Sequence, residues 1–118
     1  MEKLESAKGK YMKNIEKKKV LVLKDEVSYC SGQVVSKTLE QNSHHSVTLF
    51  SFDKNEEISS HRAGGDAFVY ILDGKAEITI DEEKFILTAG ETIVMPKDHP
   101  HALFALEQFK MLLVVTFD

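Results

Sequence analysis

The sequence predicts an all-β fold, an antiparallel β-barrel or jelly roll, over residues 20–118. Short apolar runs rich in β-branched residues recur at intervals of about 8–12 residues, which is the spacing of a β-sandwich or barrel. Glycine, proline and acidic turn residues separate these runs. After residue 20, no stretch has the length and periodicity of a helix. These observations together favour an all-β domain over a mixed fold.

Each apolar run defines one predicted strand. Within one of them, Glu77 and Thr79 alternate with Ile78 and Ile80, which is the period of a strand with one face in solvent. The predicted strands are Val20–Leu23, Gln33–Leu39, Ser46–Phe52, Ala67–Leu72, Ala76–Ile80, Lys84–Leu87, Thr92–Met95, His101–Ala105 and Met111–Phe117.

Turn residues connect these strands. Asp73-Gly74 predicts a hairpin between two apolar runs, because glycine adopts positive φ without strain. Gly90 predicts a second turn, and Pro96, which has no N–H to donate, ends the strand before it. The charged residues 53–57 are predicted to form a loop.

Length and charge limit the domain organisation and the partners. With 118 residues, of which 42% are hydrophobic, the chain has room for one domain with a packed core. Residues 1–19 carry seven lysines against three glutamates, a charge of +4, so the remaining residues sum to −8 within the total of −4. We expect residues 1–19 to be a weak helix or disordered. Because the domain is acidic and residues 1–19 lack arginine, we expect no nucleic-acid partner.

The sequence also predicts the cellular location of the protein. Its single cysteine, Cys30, cannot form an internal disulfide, which is typical of a reducing compartment. No apolar run reaches the roughly 18 residues that span a membrane, and the charged N-terminus does not resemble a signal peptide. We therefore expect a cytoplasmic protein without a membrane partner.

Two spaced patterns between His61 and His101 identify a family. In "GETIVMPKDHPH", five residues separate Gly90 from Pro96, and His101 follows after four more. In "HRAGGDAFVYILDG", four positions match the other pattern: His61, Tyr70, Leu72 and Gly74. The chain resembles the cupin superfamily, whose two motifs carry this spacing. The resemblance implies a cupin-type double-stranded β-helix, or jelly-roll barrel.

The resemblance also implies a metal site, and the chain departs from it. The family uses two histidines and a glutamate from the first motif and a histidine from the second. Here these positions hold His61, Ala63, Ala67 (or Phe68 with the longer spacing) and His101. Two of the four family ligands are therefore retained.

Two interpretations of the remaining polar residues stay open. His61, Asp66 and His101 could hold a divalent transition metal (iron, manganese, nickel or zinc), with His99 replacing one ligand. However, Asp66 and Ala67 point to opposite faces of a regular strand, so only one of them faces the cavity. Alternatively, His61 and His101 form hydrogen bonds with each other, with Asp66 or with water.

These interpretations lead to different functions. The leading hypothesis is a cupin that binds a small molecule in the barrel mouth, a common ligand site. The expected pocket residues are His61, Asp66, Tyr70, Met95, His99 and His101. The alternatives are a metal-dependent dioxygenase-like or isomerase-like enzyme and a structural or sensor dimer.

We also expect a homodimer. Several predicted strands are apolar at both alternating positions, and one barrel interior can bury only one of the two sets. These segments are Val34–Val35, Phe50–Phe52, Phe68–Leu72 and Met111–Phe117. Small one-domain cupins commonly pair through an outer sheet face, and the resemblance implies the same here.

Overall fold

The computed structural model describes residues 11–117. In this part of the chain, seven strands pair antiparallel, and the only helix is a 3-10 turn at Leu23–Glu26. The predicted all-β barrel fold is thus confirmed. The strands are β1 (Val34–Gln41), β2 (His45–Phe52), β3 (Glu57–His61), β4 (Asp66–Ile80), β5 (Glu83–Thr88), β6 (Thr92–Met95) and β7 (His101–Thr116).

Two long strands organise the barrel. β4 has 15 residues and β7 has 16, and they pair with each other along most of their length. The strand order is β1-β2-β7-β4-β5, while β3 pairs with β7 and β6 pairs with β4. The pairing of β4 with β7 shifts register after Ile71 and again after Gly74. Such bulges bend a strand, which allows β4 and β7 to serve both halves of the barrel.

The hairpin predicted at Asp73-Gly74 is wrong, because β4 continues through both residues. Gly74 does have the expected positive φ, +83°, but it faces Phe109 of β7 inside the bulge. A Cβ atom at Gly74 would lie 1.7 Å from the carbonyl oxygen of Gln108. The glycine therefore permits close approach of two backbones, not chain reversal. In the same way, the two runs predicted between His101 and Phe117 form the single strand β7.

Some of the other predicted strand boundaries are confirmed, and others are wrong. Gly90 has φ +91° in the turn before β6, and β6 ends at Met95, directly before Pro96, as predicted. The strand predicted at Val20–Leu23 is absent: residues 20–22 are irregular, and Leu23 begins the 3-10 turn. Strand β3 was not predicted, because its sequence, EISSH, is polar and lacks apolar alternation.

Apolar side chains form two clusters on opposite faces of the sheet. The inner cluster fills the barrel and includes Phe52 stacked on Phe109, with ring centroids 4.3 Å apart. The outer cluster, which includes Leu39 and Leu49, is covered by Val27 and by partly buried Ile15 and Leu23.

The described part of the N-terminal segment is ordered against this outer face. Lys13 donates its backbone N–H to the carbonyl oxygen of Leu39 at 2.8 Å, and the side-chain amide of Asn14 donates to that of Thr38 at 2.8 Å. Residues 11–19 contain no helix, and these two hydrogen bonds connect Lys13 and Asn14 to the edge of β1. The rest of the segment expected to be a weak helix or disordered, residues 1–10, lies outside the described residues. No helix within residues 11–117 is long and apolar enough to cross a membrane.

Candidate functional site

Antiparallel pairing of β3 with β7 brings His61 and His101 together. His61 is the last residue of β3, His101 is the first residue of β7, and the two are paired directly across the strands. Side chains at such paired positions lie on the same face of a sheet. Both imidazoles therefore point to the same end of the barrel.

The two imidazole rings are in direct contact. Their Nε2 atoms are 3.1 Å apart, within hydrogen-bonding distance, and the rings meet edge to face at 73°. His61 is exposed, whereas only 3% of His101 is exposed. The Nδ1 atom of His61 lies 3.1 Å from the carbonyl oxygen of Ser59, while Nδ1 of His101 has no hydrogen-bond partner among residues 11–117.

Burial makes protonation of His101 unfavourable. Its pKa is lowered from the usual 6.5, first because burial removes the imidazolium from water and second because His61 is a potential like charge. The backbone of His99 acts in the opposite direction. His101 is therefore a neutral imidazole near pH 7, able to donate from one nitrogen and accept at the other.

Both histidines line a cavity of about 130 Å³ at this end of the barrel. All other side chains that line it are apolar, and none of the described lining residues is charged. They are Phe50, Ile58, Ala63, Ala67, Met95, Leu103, Met111, Leu113 and Val115. The cavity is thus an apolar chamber with one polar corner.

Three of the six predicted pocket residues lie in this cavity: His61, Met95 and His101. The other three do not, and strand alternation explains the two on β4. Ala67 is buried and faces inward, so Asp66 and Tyr70, an odd number of residues away, face outward. Asp66 accepts a hydrogen bond from the backbone N–H of Lys97 at 2.8 Å. His99 lies in the loop before β7, where its Nδ1 is 2.9 Å from Asp81.

The metal ion implied by the resemblance does not fit these residues. A catalytic transition-metal site normally has three or more protein ligands. Here the cavity offers two imidazoles, which are hydrogen-bonded to each other. The methyl groups of Ala63 and Ala67 occupy the remaining ligand positions. Across the described chain, no group of three His, Cys, Asp or Glu residues is placed to hold a metal. The expected set of His61, Asp66 and His101 is not assembled.

The loops at the cavity mouth are tied to each other. The guanidinium of Arg62 donates to the carbonyl oxygen of Asp98 at 2.7 Å, and the N–H of Asp98 donates to the carbonyl oxygen of Ala63 at 3.0 Å. These bonds connect the segment after β3 with the segment before β7. They hold the backbone on both sides of the His61–His101 pair.

A larger depression elsewhere is a weaker candidate. It is an open groove of about 510 Å³ lined by residues that include Tyr29, Asp53, Asp73 and Gln108. Two of its acidic groups, Asp53 and Asp73, already have protein partners. Asp53 accepts hydrogen bonds from the backbone of Gly32, from Gln108 and from the backbone of Lys54, which lower its pKa, and Tyr29 donates to Asp73 at 2.6 Å.

Sequence reasoning missed most of the apolar lining and the role of Ser59. Phe50, Met111, Leu113 and Val115 line the cavity from β2 and β7. Their alternating positions in apolar runs were a usable signal, but both faces of these strands are apolar, so the inward set was not defined. The contact with the Ser59 carbonyl has no signal in the sequence, because any residue supplies that group.

Comparisons with known proteins agree with this architecture. The cupin domain family matches residues 48–117. A conserved protein of unknown function from Streptococcus pyogenes is 51% identical, with a TM-score of 0.90, 92% of this chain covered and 95% of that one. A cupin superfamily protein from Desulfitobacterium hafniense is 32% identical, with a TM-score of 0.87 and coverages of 91% and 98%.

A third solved structure, a cupin 2 conserved barrel domain protein from Leptotrichia buccalis, is 39% identical. Its TM-score is 0.77, with 79% of this chain and 45% of that chain covered. A search of curated proteins finds no match. The family match covers more than half of the chain, and the matched strands are those that carry the cavity. The chain belongs to the cupin family.

Proposed function

We propose that this cupin domain binds a small, largely apolar molecule in the 130 Å³ cavity, and that His61 and His101 form its polar contact. The single observation that carries this proposal is the composition of the cavity wall: two imidazole side chains in an otherwise apolar lining. Ligand sites typically combine an apolar wall with a few placed polar groups. The lone cysteine, Cys30, supports a cytoplasmic setting for this function.

The cavity size limits the ligand. A cavity of about 150 Å³ lined by leucine, isoleucine and phenylalanine stays dry and binds benzene. The volume here is similar, so the body of the ligand is about the size of one aromatic ring or one short branched chain. A charged ligand would lose its hydration without a partner of opposite charge in the wall.

The competing function, a metal-dependent enzyme, needs ligands that the cavity does not provide. The positions that would complete a metal site contribute the methyl groups of Ala63 and Ala67. These methyl groups leave room beside the histidines, and the proposal places part of the ligand in that space.

Methionine methyl groups give a direct test. Met95 and Met111 line the cavity, whereas Met12 is exposed outside it. We expect toluene, as a benzene-sized probe, to shift the ¹³C-methyl NMR signals of Met95 and Met111 and to leave Met12 unchanged. Ala67→Leu fills the cavity and should abolish these shifts. Ile86→Leu, a change on the outer face of β5, is the matched control and should preserve them.

Two results would contradict the proposal. One is unchanged Met95 and Met111 signals at saturating toluene. The other is a stoichiometric transition metal in protein purified without a histidine tag, since that ion would occupy the histidine corner.

A further inference from the structure

The two histidines present different hydrogen-bonding groups to the cavity. The carbonyl oxygen of Ser59, 3.1 Å from Nδ1 of His61, can only accept, so Nδ1 of His61 carries the proton. A neutral His61 then has a lone pair at Nε2. Since Nε2 of His101 is 3.1 Å away and Nδ1 of His101 has no hydrogen-bond partner among residues 11–117, the proton of His101 is assigned to Nε2.

The reverse arrangement is unfavourable. If Nε2 of His61 carried the proton, its Nδ1 lone pair would face the lone pairs of the Ser59 carbonyl oxygen at 3.1 Å. The backbone therefore sets the order of donor and acceptor in the pair. Protonation of both rings is opposed because His101 is buried beside His61.

The polar corner thus consists of one acceptor and one donor side by side. The acceptor is Nε2 of His61, and the donor is the Nε2–H group of His101. A ligand with a donor and an acceptor on adjacent atoms can bind both at once. Such a ligand replaces the one hydrogen bond between the imidazoles with two hydrogen bonds, one from the ligand to each imidazole.

We infer that the ligand carries a neutral amide whose N–H and C=O groups lie on the same side, as in a primary amide or a lactam, on an apolar body about the size of benzene. This inference rests on the proposed function. The amide N–H donates to Nε2 of His61, and the amide oxygen accepts from Nε2–H of His101. His61 is exposed at the cavity mouth, where the head group would enter.

The neutral head group follows from the cavity wall. No lysine, arginine, aspartate or glutamate is among the described residues that line it. A carboxylate would enter without a permanent positive charge to receive it, and an ammonium group without a negative one. An amide requires neither, and it presents a donor for Nε2 of His61 and an acceptor for the Nε2–H group of His101.

Matched aromatic probes test the inference with the same Met95 and Met111 signals. Benzamide has both amide groups, acetophenone has nearly the same shape but no donor, and toluene has neither. We expect benzamide to bind about tenfold more tightly than acetophenone, the effect of one additional hydrogen bond at a desolvated site. In His61→Phe this preference should disappear while toluene still binds. His99→Phe, outside the cavity, is the matched control and should retain the preference.

The outcomes separate this inference from the proposed function. If toluene binds but benzamide is no tighter than acetophenone, or if benzoate is tighter than benzamide, the amide assignment is wrong and the apolar site remains. If no probe shifts the two methionines, the proposed function itself fails. Independently, ¹⁵N imidazole shifts should show the Nδ1–H form of His61 and the Nε2–H form of His101; the Nδ1–H form of His101 would overturn the inference.

Discussion

His61 and His101 are a pair because each ends or begins a strand at the same level of the barrel. Their hydrogen bond satisfies Nε2 of both rings, but it leaves Nδ1 of the buried His101 without a partner in the described chain. An unpartnered buried nitrogen is tolerable as a neutral lone pair and costly as a charged group. The neutral form of His101 is therefore favoured in the folded protein.

This arrangement predicts a pH dependence of stability. The pKa of His101 is lowered below 6.5 in the folded state, so the unfolded chain takes up the proton first as the pH falls. The contribution of His101 to the free energy of unfolding is complete above about pH 6.5 and decreases as the pH falls toward the lowered pKa. Urea unfolding between pH 7.5 and 5 should show this decrease.

The non-titrating variant His101→Gln provides the comparison. Its free energy of unfolding should fall less steeply between pH 6.5 and 5 than that of the wild type. Equal slopes for the two proteins would show that His101 does not cause the dependence.

At the scale of single residues, the sequence predicted part of the candidate site. The family spacing placed His61 and His101 at corresponding positions, and the structure pairs them. The direction of the Asp66 side chain could not be predicted from the sequence, because a register shift of one residue decides whether Asp66 or Ala67 faces inward. The structure turns Ala67 inward. The role of these residues in binding stays a prediction.

At the scale of elements, the bulge in β4 determines how the barrel closes. Gly74 is the residue that permits it, since its φ is +83° and a Cβ atom at this position would overlap the carbonyl group of Gln108. We expect Gly74→Ala to destabilise the protein by more than about 4 kcal/mol, because a methyl group would overlap main-chain atoms that cannot move independently.

Gly90→Ala is the matched control for this prediction. Gly90 also has positive φ, +91°, but apart from its chain neighbours no atom of residues 11–117 lies within 4 Å of the position of an added Cβ. This change should cost only about 1–2 kcal/mol, the strain of an L-residue in the left-handed region. Denaturant unfolding of both variants measures the difference. Similar losses would mean that φ alone, and not the close approach, makes Gly74 necessary.

The same bulge anchors the segment that precedes β1. The hydroxyl of Tyr29 donates to Asp73 at 2.6 Å, and Nζ of Lys110 lies 4.7 Å from the ring centroid. Burial, followed by the hydrogen bond to Asp73, raises the pKa of Tyr29, so the hydroxyl remains a donor at neutral pH. We expect Tyr29→Phe to lower the free energy of unfolding by about 1 kcal/mol.

Tyr70→Phe is a suitable reference for Tyr29→Phe, because Tyr70 is on the outer face and the structure gives its hydroxyl no bond to residues 11–117. The reference variant should unfold at nearly the wild-type denaturant concentration. An equal effect of both changes would argue against the contact with Asp73.

The sequence predicted the strands better than their connections. Apolar runs with clear alternation, such as Ala76–Ile80, lie within observed strands. Asp73-Gly74 has the composition of a two-residue hairpin, and only the pairing of β4 with β7 over a long separation shows that it is a bulge. Strand β3 is polar and is held by β7, so local sequence contains no signal for it.

At the scale of the whole molecule, the outer face of the sheet has a covered part and an open part. Residues such as Ile15, Leu23 and Val27 cover Leu39 and Leu49. Beyond this cover, an outer row of apolar side chains crosses four neighbouring strands in register. The row consists of Val47 on β2, Val114 on β7, Phe68 on β4 and Val94 on β6.

We propose that a second copy of the chain covers this outer row in a symmetric homodimer. Phe68 is 40% exposed and Val94 is 49% exposed, which is unusual for large apolar residues that are adjacent in one row. A standard interface buries about 800 Å² per subunit, and a symmetric pair places the same row on both sides.

Light scattering at micromolar concentration should give about twice the chain mass of 13.3 kDa. Phe68→Lys should shift the mass to that of one chain, whereas Ile86→Lys, at an exposed position outside the row, should not. A wild-type mass of one chain would exclude the homodimer and leave the outer row as an exposed apolar surface of a monomer.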